Sequence, residues 1–329
     1  MSEQTQLRVA LFGSGQRADE WSEAFSRTAR VQASTVGSTE VLVVAPGTHD
    51  PFGQTRDALR EGVSVLYATS FQLTPWQAIA LEELSRRERR LLRFVEPFRY
   101  QRGYSFLQRL LEGREPFWRP LYLRSLYLKG PQSGVRLDDL ATEELALYDS
   151  LIGARPRCVS AVSVRQDEFT QACAASFMVE YVDGPSLHCM VSLAEGSAAH
   201  ELAAVAPERT ILMDQLDPAA PLRIFGADAE GRELSLDREP RCDDIMAQET
   251  AGFLAAVRSR DLSYGNSGRW TRVAAVWWAA RQSMSFGGSV EVPALVRTNT
   301  KRPPLTVIEG GGGPSRRAGP RPALKLIAG

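Results

Sequence analysis

Four short apolar runs, set apart by stretches of helical spacing, dominate the first 95 residues and restrict what they can build. They are Leu7–Phe12, Val41–Ala45, Val63–Tyr67 and Leu91–Val95. Each is too short for a core helix and too uniformly apolar to leave one side in water, so each reads as a strand buried on both faces. Between them, Trp21, Ala24, Phe25 and Ala29 recur at helical spacing, and residues 51–61 make a helix stopped by Gly62. Thr74-Pro75-Trp76-Gln77 then combines an N-cap, a proline at the first helical position and a glutamine three residues beyond the cap. Strands alternating with helices of this length imply a parallel sheet covered on both sides.

The spacing also says that this sheet is shortened. Only 28 residues separate Phe12 from Val41, and the glycine turn Gly13–Ala18 with its helix uses them to about Ala29. Val31–Val36 can form a short second strand, which leaves four residues before Val41. Four extended residues reach ~14 Å, too little for a crossover that needs about a dozen residues. The expectation is an α/β, Rossmann-like domain over residues 1–120 with a truncated parallel sheet, Val41–Ala45 lying directly beside Leu7–Phe12, and no helix between Val31 and Val41.

Beyond about residue 120 the pattern changes. Leu121–Leu128 and Cys158–Val164 flank a helix at Leu137–Ile152, and alternating stretches follow at Ala175–Val182, Ser186–Leu193, Glu201–Ala206, Thr210–Gln215, Leu222–Ala227 and Glu233–Leu236. Two helices close the region, Asp243–Arg258 and Arg269–Ser285. This predicts an α+β domain over residues 121–297 with one large, mostly antiparallel sheet. Residues 298–329 are rich in glycine, proline and arginine and read as a flexible tail.

A formal net charge of zero gives no electrostatic case for nucleic acid, and no apolar run is long enough to span a bilayer. The polar start MSEQTQ does not resemble a signal peptide, so the cytoplasm is the expected compartment. Cys158, Cys173, Cys189 and Cys242 lack zinc-site spacing, and His49, His188 and His200 are too scattered to suggest a metal centre. Positive charge comes almost wholly from arginine, the lysines being Lys129, Lys301 and Lys325. A guanidinium stays protonated and cannot serve as a tunable proton-transfer group.

Several strings, taken in order, resemble the Gfo/Idh/MocA family of glucose–fructose oxidoreductases and inositol dehydrogenases across about residues 7–294. Gly13-Ser14-Gly15-Gln16-Arg17-Ala18 fits its GxGxxA fingerprint, and Glu40–Pro46 and Arg60–Leu66 fit the two strand entries that follow. Phe98-Arg99-Tyr100, Arg119-Pro120-Leu121-Tyr122 and the segment Val273–Val292 match later motifs. The resemblance implies a nicotinamide dinucleotide on the glycine turn, with Gly13, Gly15 and Arg17 as the residues that would hold it. It also implies a cleft bordered by Thr69, Glu96, Arg99, Tyr104, Glu143, Glu144 and Tyr148.

The family's proton-transfer lysine and histidine are missing from their motifs. The EKP position reads Ala68-Thr69-Ser70, and counting back from Gly153 places Glu143 and Ala146 where the family has HxxD. The residue that holds the adenosine ribose is also missing, its place reading Val36-Gly37-Ser38-Thr39. No Lys–His pair is therefore expected in the cleft, NAD(P) is expected to bind weakly if at all, and no metal is expected. The main expectation is a divergent member without dehydrogenase chemistry, acting as a ligand-binding or protein-interaction module. The alternative is an NAD(P)-dependent oxidoreductase acting on a sugar or other small polar substrate through a non-standard site, with Glu143 and Tyr148 as the candidate acid–base pair. Alternating strands such as Ala175–Val182, with Met178 and Val182 on their mixed face, suggest a homo-oligomer through the C-terminal sheet.

Overall fold

A computed structural model describes residues 7–27, 30–32, 39–100, 102–111, 120–130, 135–165, 172–194, 198–214, 222–226, 229–234, 245–294 and 307–308. In the first part β1 (Arg8–Phe12), β2 (Arg30–Gln32), β3 (Val41–Val44), β4 (Ser64–Tyr67) and β5 (Leu92–Phe94) form a parallel sheet in the order β2-β1-β3-β4-β5. β3 lies directly against β1, with Val9 opposite Val41 and Phe12 opposite Val44, as the short spacing requires. β2 keeps three residues beside Arg8–Ala10, shorter than the strand expected at Val31–Val36. Residues 33–38, where the absence of a helix was expected, lie outside the described residues.

The two faces of this sheet are covered from different parts of the chain. α2 (Pro51–Arg60) and α3 (Pro75–Glu88) pack on the face carrying Leu42, Val44, Val65 and Tyr67. α3 starts as its sequence requires, with the Thr74 hydroxyl accepting from Gln77 N and Gln77 reaching back to Thr74 N. On the other face Val41, Val43 and Leu66 meet Trp21 and Phe25 of α1 (Gln16–Ser26) together with Phe253 and Leu254 of α6 (Ile245–Ser259). A boundary near residue 120 therefore does not part all the contacts, because a late helix returns to complete the first layer.

The second sheet has ten strands among the described residues. β6 (Tyr122–Leu128) lies between β9 (Ser186–Ser192), to which it is parallel, and β10 (Ala199–Val205), to which it is antiparallel. β7 (Pro156–Arg165) and β8 (Ala172–Tyr181) extend it on one side, β11 (Arg209–Asp214), β12 (Leu222–Gly226) and β13 (Ala229–Leu234) on the other. After α7 (Ser267–Phe286), β14 (Ser289–Glu291) joins β7, and β15 (Val307–Ile308) pairs with β14. Apart from β15, the expected tail lies outside the described residues.

α5 (Leu137–Ile152) and α7 cover one face of this sheet, where Phe177, Val179, Leu187 and Val191 are buried. α7 also packs against α3, so a single apolar core runs from the first sheet to the second. A short α4 (Arg102–Leu111) precedes the second sheet. No described helix is long and apolar enough to cross a membrane.

Candidate active-site cleft

The glycine turn sits where β1 ends and α1 begins. A Cβ on Gly13 (φ 149°) would lie 2.7 Å from Pro46 O, so the turn closes tightly on the exit of β3 only because no side chain is present. Ser14 N donates to Pro46 O at 2.9 Å and holds the two loops together. Gly15 (φ 86°) differs: a Cβ there would meet nothing within 4 Å and would project into open space. It is the N-cap of α1 and brings no side-chain cap; the Ala18 amide bonds back to Gly15 O at 2.9 Å, which leaves the Gln16 and Arg17 amides to face an outside acceptor. Gly13 through Arg17 are all exposed. This turn fits a diphosphate, with the Arg17 guanidinium available to add charge.

Across the cleft, α5 enters through a capping box in which Arg136 N donates to Asp139 Oδ2 at 3.1 Å. Ser70, on the loop after β4, lies near this helix start, where it opposes the rise that burial imposes on the Asp139 carboxyl. One residue of the next turn faces outward and its neighbour faces the sheet. Glu143 is exposed, whereas Glu144 is 1% exposed.

Glu144 is saturated with partners. Ser125 of β6 donates its hydroxyl to Oε2, and His200 Nε2 of β10 lies 2.6 Å from Oε1. Tyr127 sits directly across the ladder from His200 and stacks on its ring at 4.1 Å and 12°. Burial lowers the imidazole pKa, but the Glu144 carboxylate outweighs it and holds His200 above its ordinary value, which favours an imidazolium–carboxylate pair.

Glu143 is tuned the other way. Desolvation by the surrounding protein, then repulsion from Glu144, raises its carboxyl to about 7, while Lys129 and His200 pull against that rise. The side chain still reaches water, which limits the desolvation. A carboxyl that titrates near neutrality can accept a proton from a bound hydroxyl and release it to solvent. Lys129 stands at the end of β6, its backbone N–H bonded to Ser192 O at 2.8 Å. Lys129 and His200 both act on Glu143 by charge, and both come from the second sheet rather than from the family's usual motifs; His200 itself is buried against Glu144.

The other candidates are not gathered at this point. Tyr148 is fully buried with its hydroxyl 3.5 Å from Arg124 O, and it sits with Glu144 rather than beside Glu143. Glu143 and Tyr148 therefore do not form a pair facing a substrate. Glu96 is fully buried and held by Arg99 and by Arg269 at 2.7 Å. It belongs to an ionic network in which Arg93 meets Glu249 at 2.5 Å and Arg272 meets Asp149 at 2.7 Å. Tyr104 is buried with its hydroxyl on Ser150 at 3.1 Å. Thr69 stays half-exposed beside Ser70.

His200 was missed because its role depends on pairing. The available signal was a histidine at an inward position of an otherwise small and apolar strand, where burial demands a partner. The described residues contain no group of histidine, cysteine and carboxylate side chains able to hold a metal ion.

No protein-family model matches this sequence, and no curated protein matches it. Solved structures do. One is the UDP-N-acetylglucosamine 3-dehydrogenase GnnA from Acidithiobacillus ferrooxidans, 18% identical over 85% of this chain and 99% of that one, with a TM-score of 0.72. Another is an inositol dehydrogenase homologue from Azotobacter vinelandii, solved with NADH and myo-inositol, 14% identical over 88% and 98%, TM-score 0.73. A levoglucosan dehydrogenase in complex with NADH is 14% identical over 88% and 100%, TM-score 0.71. These neighbours are dehydrogenases of sugars and polyols, and they overturn the expectation of a module without chemistry.

Proposed function

We propose that this chain, which has the two-domain fold of the Gfo/Idh/MocA oxidoreductases, is an NAD(P)-dependent oxidoreductase acting on a hydroxyl of a sugar or other small polar substrate through a non-standard proton-transfer site. The arrangement that carries the reading is Glu143, exposed on α5 beside the buried Glu144–His200 pair, its carboxyl pushed up by burial and Glu144 and drawn down by Lys129 and His200.

The residues divide the work between the two sides of the cleft. Gly13, Gly15 and Arg17 hold the diphosphate of the dinucleotide, whose nicotinamide supplies the hydride acceptor when bound. Glu143 accepts the proton of the substrate hydroxyl. Lys129 adds positive charge that steadies the ionised carboxylate and the developing alkoxide. Glu144, His200, Ser125 and Tyr127 form the packed wall that keeps Glu143 and Lys129 in place. The site works in the cytoplasm in this reading, where NAD(P) is plentiful.

The test is to incubate the purified protein with NAD+ or NADP+ and a panel of sugars, amino sugars and polyols, and to follow formation of the reduced nicotinamide. Turnover with at least one of them is expected, with Glu143→Gln lowering kcat/KM by about 100-fold. Failure of every substrate, together with no nucleotide binding by calorimetry, would sink the proposal.

A further inference from the structure

The opposite edge of the parallel sheet carries a feature that the cleft does not use. At the amino ends of β1, β3, β4 and β5 lies an open cavity of about 1160 Å³. Its rim holds five exposed arginines, Arg86, Arg89 and Arg90 at the end of α3 and Arg258 and Arg260 at the end of α6. Leu7, Leu91 and Val257 form an apolar floor.

Among the described residues, no hydrogen-bonded or ion-paired side chain partners any of these five guanidiniums. The two carboxylates on the rim are already engaged, Glu40 with Arg8 and Glu88 with Arg87 at 2.8 Å. Cations at a helix C-terminus ordinarily offset its macrodipole, which amounts to about half a charge per helix. Two helix ends therefore account for about one charge. Even with both carboxylates counted in full, the rim keeps an excess of about two positive charges.

The backbone adds an independent observation. α3 and α6 end in the same way: Arg90 N bonds to Ser85 O at 2.9 Å and Asp261 N to Ala256 O at 2.9 Å, closing each helix with a six-to-one bond. The residue in the left-handed position of that closure is commonly glycine. Here it is an arginine both times, Arg89 (φ 50°) and Arg260 (φ 56°). Two side chains are thus kept at positions where the backbone favours having none, and both border the same cavity.

We propose that this cavity binds a ligand carrying two or more clustered phosphates, such as a polyphosphate chain or a nucleoside polyphosphate, at a site separate from the glycine turn. Guanidinium forks match phosphate oxygens in pairs, and several phosphates are needed to engage arginines spread over two helix ends. The apolar floor can take a base or leave it unbound, which separates the two sources of the ligand.

The experiment titrates the full chain by calorimetry at low salt with tripolyphosphate, ATP and inorganic phosphate. One tripolyphosphate per chain is expected, weakening as salt is raised, with inorganic phosphate at least tenfold weaker. ATP binding more tightly than tripolyphosphate identifies a nucleotide ligand, and equal binding identifies the phosphate chain alone. The double variant Arg89→Gly and Arg260→Gly should bind at least tenfold more weakly, and its Tm should equal or exceed that of the parent because glycine relieves both left-handed positions. The proposal fails if tripolyphosphate does not bind or binds no better than inorganic phosphate. It also fails if binding survives the double variant, including the case where Arg17→Ala removes it instead and so assigns it to the glycine turn.

Discussion

At the scale of single residues, Glu143 and His200 titrate in opposite roles and leave different marks on stability. Glu143 binds its proton more tightly in the folded chain, where its pKa is about 7, than in the unfolded one. Its protonated form therefore favours folding, and that contribution is lost as pH rises from the ordinary carboxylate value through about 7. Thermal denaturation of Glu143→Gln should match the parent at pH ~4 and show a higher Tm at pH ~8, where the parent bears the disfavoured charge. His200 is also raised, through Glu144. Its stabilising pair is complete below the ordinary histidine value and fades as pH climbs through the raised one. Urea unfolding of His200→Ala should show a loss of about 3 kcal/mol near pH ~6, because Glu144 is left buried without its cation, and a smaller loss at pH ~9. An equal loss at both values would mean that the ring acts by packing alone.

At the scale of elements, the glycine turn separates two kinds of glycine. Gly13 is required by contact, since a methyl group would lie 2.7 Å from Pro46 O and 2.8 Å from the Ala45 side chain. Gly13→Ala should destabilise the first sheet by about 1–3 kcal/mol. Gly15 has open space around it, so Gly15→Ala carries only the backbone cost of a conformation (φ 86°, ψ 175°) almost confined to glycine, about 1–3 kcal/mol. Its methyl group, however, enters the open space where the proposed diphosphate would lie. Paired measurements of Tm and NAD+ affinity should show Gly15→Ala losing more affinity than stability. A Gly15→Ala protein that binds NAD+ as the parent does would take the nucleotide away from this turn.

At the scale of the whole molecule, the outer face of the large sheet has no layer of described residues over it. Val162 is 65% exposed, Val164 59%, Met178 43% and Met190 36%, and they are neighbours across β7, β8 and β9. Apolar side chains clustered at that exposure point to a partner surface. We propose that a second copy of the chain covers it, sheet against sheet. Light scattering at micromolar concentration should give a dimer mass, and Val162→Glu with Met178→Glu should give a monomer. A parent protein that is already monomeric would remove the proposal.

Much of the architecture was open to local reading because its determinants lie close together in the chain. The Thr74–Gln77 capping box, the helix at Leu137–Ile152 and the β1–β3 adjacency follow from caps, periodicity and the reach of a short connection. The buried cluster around Glu144 did not follow from such rules. Ser125, Glu144 and His200 come from three elements, and only the antiparallel register of β6 with β10 brings Tyr127 opposite His200 and both beneath α5. The return of α6 to the first sheet was hidden for the same reason, as was the meeting of two arginine-bearing helix ends at one cavity. Strand and helix identity depends on neighbours a few residues apart, so the sequence by itself determined the two-layer order of this protein. The protonation of a carboxylate depends on charges a few ångströms away in space, and those distances were decided only when the second sheet closed over α5.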